Sequence, residues 1–97
     1  MGINRIGRIR RAIQADRYEF TLHALEEMDE DKLTGEDVRH AVLRGRIVSE
    51  LTDDPRGVRY VVRGESQVRD VELEVVCRVL PSGLLRIITV YALKDEE

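Results

Sequence analysis

His23 is followed by Glu26 and Glu27, so on a helix one imidazole and two carboxylates share a face at i+3 and i+4. Such a face can hold a metal or move a proton. The metal option is short of ligands: a transition-metal site usually takes three or four, the other histidine is His40, and Cys77 is the only cysteine. No metal site is therefore expected. Proton transfer suits an imidazole, which titrates near neutrality. The competing role for His23 is structural, capping its helix or bridging it to a sheet. Arg56, Arg59, Arg63 and Arg78 form a second set. Guanidinium groups stay charged and bind oxygen pairs, so a stripe of them holds phosphate; alternatively they pair across strands with Glu72 and Glu74. Tyr91 can stack on a base or donate a proton, or simply pack with its hydroxyl in water. His40, between Arg39 and Arg44, reads as solvated. No glycine-rich phosphate loop, HExxH, GxSxG or paired-cysteine motif is present.

The elements that must position these residues follow from hydrophobic spacing. Ile3, Ile6, Ile9 and Ile13 make one aliphatic stripe on a first helix, with Asn4 as its cap and Gly7 weakening it by about 1 kcal/mol. Thr21 is the N-cap expected for a second helix, with Leu22, Leu25 and Met28 inward and His23, Glu26, Glu27 and Glu30 outward. Thr34-Gly35-Glu36-Asp37 resembles a capping box opening a third helix, with Val38, Ala41 and Val42 inward and Gly45 as its stop. Beyond Gly45 the period changes to two, predicting strands from Ile47 to Thr52, Val58 to Arg63, Val71 to Leu80 and Leu84 to Leu93. Asp53–Gly57 and Pro81-Ser82-Gly83 are the turns between the first two and the last two. In the third strand Val71, Leu73, Val75, Cys77 and Val79 share one face. In the last, Leu85, Ile87, Thr89 and Tyr91 are expected on one face, opposite Ile88, Val90 and Ala92. The predicted fold is α+β, three N-terminal helices packed on a four-stranded antiparallel sheet, in a single domain spanning 1–97.

The chain has 97 residues and a net charge of −3, but the charge is segregated. Residues 1–18 carry five arginines against one acid, and residues 19–37 carry eight acids against one lysine. One edge is thus basic and another acidic, which suits binding a polyanion on one side only. Hydrophobic content of 42% beside 36% charged residues excludes wholesale disorder. With no apolar run near the roughly 20 residues of a membrane span and a single cysteine flanked by valines, a reducing cytoplasm is the expected setting.

The segments Phe20-Thr21-Leu22-His23-Ala24-Leu25-Glu26-Glu27-Met28, Leu33–Val38, Gly45-Arg46-Ile47, Arg59-Tyr60 and Ile87-Ile88-Thr89-Val90-Tyr91-Ala92 resemble the family labelled domain of unknown function 4258, over about residues 18–93. Members are often encoded beside a YgiT-type zinc-finger antitoxin, and helices followed by strands look like the RelE, BrnT and MqsR toxins. The resemblance implies a toxin-like fold of ribonuclease ancestry, and the leading expectation is a metal-independent endoribonuclease toxin without a cofactor, paired with a small antitoxin protein. His23, Gly45, Arg59, Tyr60, Thr89 and Tyr91 are the positions that match; in the expected enzyme His23, Arg59 and Tyr91 are catalytic, Arg63 and Arg78 help to hold the RNA phosphate, and Tyr60 positions either an RNA base or the core. Many members carry a histidine in the third strand, where this chain reads Val71-Glu72-Leu73-Glu74. The competing expectation is a non-catalytic module that binds a partner protein through the acidic second helix and the sheet edge.

Overall fold

A computed structural model describes residues 5–67 and 71–93. The element order is α1 (Arg5–Gln14), β1 (Tyr18–Phe20), α2 (Leu22–Glu30), α3 (Gly35–Arg44), β2 (Arg46–Leu51), β3 (Arg59–Glu65), β4 (Glu72–Val79) and β5 (Leu85–Ala92). The stripe of α1 buries Ile9 and Ile13 completely, each worth about 1.5–3 kcal/mol of transfer energy. Ile3, the cap expected at Asn4 and the final residues of the chain lie outside the described residues. Thr21 and Thr34 cap α2 and α3 as their sequences require, and Thr34 exchanges both bonds of a capping box with Asp37. Pro81-Ser82-Gly83 makes the three-residue turn between β4 and β5, with Gly83 at φ 92°.

The sheet is not the four-stranded antiparallel one expected. It has five strands in the order β1-β5-β4-β3-β2, and β1 runs parallel to β5, pairing Tyr18 with Leu85 and Phe20 with Ile87. Three residues between two helices are too few for a period of two to register, and their partner lies more than sixty residues away. The α+β class holds. All three helices contribute to a core on one face of the sheet, where Val62, Leu73, Val75, Cys77, Leu85, Ile87 and Val90 meet Ile9, Ile13, Met28, Val38, Ala41 and Val42. Among the described residues the other face carries no helix.

Gly45 and Gly64 let α3 lie hard against β3. A Cβ on Gly64 would stand 2.1 Å from the Ala41 carbonyl oxygen, and one on Gly45 would stand 2.3 Å from that of Arg63. Either oxygen could give way only by shifting the backbone that carries it. Gly45 therefore ends α3 for want of space, with an ordinary φ of −87°.

Helix α2 is rotated from its expected setting. Leu22 is 72% and Leu25 47% exposed, while Ala24 and Met28 are buried. The inward stripe is Ala24, Glu27, Met28 and Asp31, at i, i+3, i+4 and i+7, because two of these residues are acids with work to do at a strand edge. Strand β1 covers β5 only as far as Ile87. Beyond it, Thr21 Oγ1 donates to the Ile88 carbonyl at 2.9 Å, and Glu27 and Asp31 accept the Val90 and Ala92 N–H groups at 3.0 Å each. Four residues rise about 6 Å along a helix, close to the roughly 6.6 Å between alternate residues of a strand, so carboxylates at i and i+4 match alternate N–H groups.

Candidate functional site

The helix-free face brings together residues from four strands. Arg46, Arg63, Glu74 and Tyr91 are direct cross-strand neighbours on β2, β3, β4 and β5. Arg63 donates to Glu74 Oε2 through Nε at 3.0 Å and Nη2 at 2.6 Å, and the Tyr91 hydroxyl donates to Glu74 Oε1. Glu74 is 9% exposed. The Tyr91 bond, and then Arg63, hold its carboxyl below the ordinary carboxylate value. The same bond to Glu74, helped by burial, pushes Tyr91 up to about 12. The pairing also raises Arg63. Near neutrality the row thus holds an ionised carboxylate, a protonated phenol and a fixed cation.

A β-bulge puts Tyr91 there. Val76 pairs with Thr89 but Cys77 pairs with Ile87, which leaves Ile88 unpaired. Strict alternation sets Tyr91 on the face of Leu85 and Ile87. The extra residue reverses the phase, so Val90 joins the core and Tyr91 turns to the open face. Glu74 is the residue that sequence reasoning passed over, treating it only as a pairing partner for arginine. Its signal was a carboxylate on the polar phase of a strand otherwise rich in valine.

At the other end of this face the turn Asp54–Gly57 folds back over β4. Asp54 Oδ1 accepts from Arg56 N at 2.9 Å and Arg56 Nε at 3.2 Å, and Oδ2 accepts from Arg78 Nη2 at 2.7 Å. Arg59 donates to Asp53 at 3.1 Å, and its Nε lies 3.8 Å from Asp54 Oδ2. The hydrogen bonds from Arg56 chiefly hold Asp54 down, at about 2. The arginine stripe therefore exists, but its members Arg56, Arg59, Arg63 and Arg78 each face an acid.

The sequence-predicted residues divide accordingly. Tyr91 and Arg63 converge on Glu74. Arg59 lies four residues before Arg63 on β3, about 13 Å of strand, and gathers with Arg78 instead. Tyr60 pairs with Cys77 and packs on the core face, away from Arg59, Arg63 and Arg78, where it lines a cavity with Arg5 and Arg8. His23 is exposed at the start of α2, its Nε2 3.4 Å from Glu27 Oε2, while Glu27 Oε1 accepts from the backbone beside Tyr91. His40 Nδ1 lies 3.0 Å from the Glu65 carbonyl oxygen, in a cavity of about 290 Å³ shared with Arg44, Arg46 and Arg63. Cys77 is fully buried and its thiol is pushed up to about 12 by that burial. Among the described residues no group of three or more His, Cys, Asp or Glu is placed to hold a metal, and no helix is long and apolar enough to cross a membrane.

The model of the family Domain of unknown function (DUF4258) matches residues 20–92, from β1 through β5, and the chain belongs to that family. No match is found among curated proteins or among solved structures.

Proposed function

We propose that this domain is the toxin of a toxin–antitoxin module and cleaves RNA without a metal, using the open sheet face. The observation that carries the reading is the row Arg63–Glu74–Tyr91: a carboxylate with a guanidinium and a phenol each hydrogen-bonded to it. In this reading RNA enters the row and takes over the bonds Glu74 makes at rest. Glu74 removes the proton from a ribose 2′-hydroxyl, the 2′-oxygen attacks the adjacent phosphorus, and Arg63 balances the charge that builds on the phosphate oxygens. Tyr91 gives its proton to the departing 5′-oxygen. The products are a 2′,3′-cyclic phosphate and a 5′-hydroxyl. His23 is joined to this end of the sheet through Glu27 and takes no proton in this reading, and Arg59 and Arg78 hold the strand further along. The partner in this reading is a small zinc-finger antitoxin.

Induced expression without an antitoxin, followed by end-group analysis of the RNA, tests the reading. Growth arrest and cyclic-phosphate ends are expected, with cleavage by purified protein persisting in chelator. Tyr91→Phe and Glu74→Gln should each lower the cleavage rate by about 10²–10⁴, with the fold retained. A second reading, a non-catalytic interaction module, is favoured by Leu22 and Leu25, exposed on an acidic helix. Unchanged RNA on expression of the wild-type chain would leave that reading standing and remove the first.

A further inference from the structure

We propose that Arg59 and Arg78 form a phosphate-binding site in which Asp54 stands in for the ligand while the protein is free. The deciding observation is a mismatch between donors and acceptors. Three guanidinium groups, from Arg56, Arg59 and Arg78, gather around the Asp54 carboxylate. Each offers five N–H donors, whereas a carboxylate has two oxygens. Both Asp54 oxygens are already engaged by Arg56 and Arg78. The Nε groups of Arg59 and Arg78 are left buried and meet no acceptor among the described residues. Arg78 is only 7% exposed, so its orphaned N–H is shut away from the surface as well. Buried donors without acceptors are rare and costly. A phosphate spreads its oxygens tetrahedrally, where a carboxylate holds two in one plane, and a free phosphate adds further charged oxygens, which suits donors converging from two strands and a turn.

The turn that delivers Asp54 is closed by its own hydrogen bonds. Gly57 N donates to the Asp54 carbonyl at 3.0 Å, and the Asp54 side chain accepts from Arg56 N, so the four residues close on themselves. Gly57 has a φ of 129°, and a Cβ there would come within 3.8 Å of Arg78 Nε. The turn is thus a small lid resting on the Arg78 guanidinium. Its ties to the sheet beneath run through the arginines that Asp53 and Asp54 engage, which a phosphate can take over. Arg56 is exposed and travels with the turn, leaving Arg59 and Arg78 as the fixed pair. The ligand chemistry is a phosphate oxyanion, from a nucleic-acid backbone or from a free phosphate. The proposal extends the reading of this face as an RNA surface, and its test measures binding alone, so loss of phosphate binding and loss of cleavage are read separately.

Asp54→Asn keeps the oxygen that accepts from Arg56 N and removes the charge. Glu36→Gln, an exposed acid on α3, makes the same change of net charge elsewhere. With 15N-labelled full-length protein, the arginine Nε–H resonances are followed during titration with inorganic phosphate at constant ionic strength, and separately with a short single-stranded RNA. The Arg59 and Arg78 signals should move in Asp54→Asn with a Kd at least about tenfold tighter than wild type, and Glu36→Gln should match wild type. Movement with RNA identifies a backbone phosphodiester as the ligand, and movement with inorganic phosphate alone identifies a small phosphate. An Asp54→Asn protein that binds no tighter than Glu36→Gln would overturn the stand-in role. Silence of both resonances with both ligands would overturn the site. Should Asp54→Asn not fold, the wild-type titration at high phosphate decides the second point unaided.

Discussion

Glu74 and Tyr91 are each held in one protonation state by the other. Glu74 has a folded pKa below its ordinary 4.5, so its contribution to stability is complete above pH 4.5 and is lost as pH falls through the lowered value. Tyr91 is raised from 10.0 to about 12, so its contribution is complete below pH 10 and is lost as pH climbs toward 12. Asp54 adds to the acid limb, losing its contribution between pH 3.8 and about 2. Urea midpoints measured across pH should therefore show a plateau from about pH 4.5 to 10 for these groups. Glu74→Gln should flatten the acid limb, and Tyr91→Phe the alkaline one. Equal slopes in wild type and both variants would show that the shared bond is not formed in solution.

The element with the least expected role is α2. Its acids at i+3 and i+7 from Ala24 close the exposed edge of β5 where β1 stops, and a bare strand edge is a template for association. Glu27→Ala should cost about 1–3 kcal/mol by leaving the Val90 N–H without its acceptor, and the variant should associate at concentrations where wild type does not. Glu27→Gln keeps an acceptor oxygen and should stay close to wild type. Denaturant unfolding and light scattering measure the two effects. The rotation that serves the edge also turns Leu22 and Leu25 outward, so the apolar exposure of this helix follows from its hydrogen bonding.

Across the whole molecule the basic α1 and the acidic α2 are opposed resources. Arg8 and Arg11 have no ion pair among the described residues and line a cavity of about 200 Å³ with Arg17, Val79 and Gly83. An acidic segment of the antitoxin in the proposed module would be steered there, in a salt-sensitive way. Copurification of the two proteins at low salt should fall sharply with the Arg8→Glu, Arg11→Glu double variant and survive Leu25→Ser. The reverse pattern would move the contact to α2.

The sequence by itself determined the helices, the caps of α2 and α3, the β4–β5 turn, the buried Cys77 and most of the extended segments, because these depend on neighbours within a few residues. It also carried the family, whose matched span begins and ends close to the segments Phe20–Met28 and Ile87–Ala92. The site was legible in part: Tyr91 and the arginines stood out by type, but not the company each would keep. Only the tertiary structure decided that a three-residue segment joins the sheet in parallel, that the bulge at Ile88 turns Tyr91 toward Glu74 and Arg63, and that the edge of β5 sets the rotation of α2. Each depends on pairing between residues far apart in the chain, where one unpaired residue reverses every side chain beyond it. Local periodicity holds no record of that register.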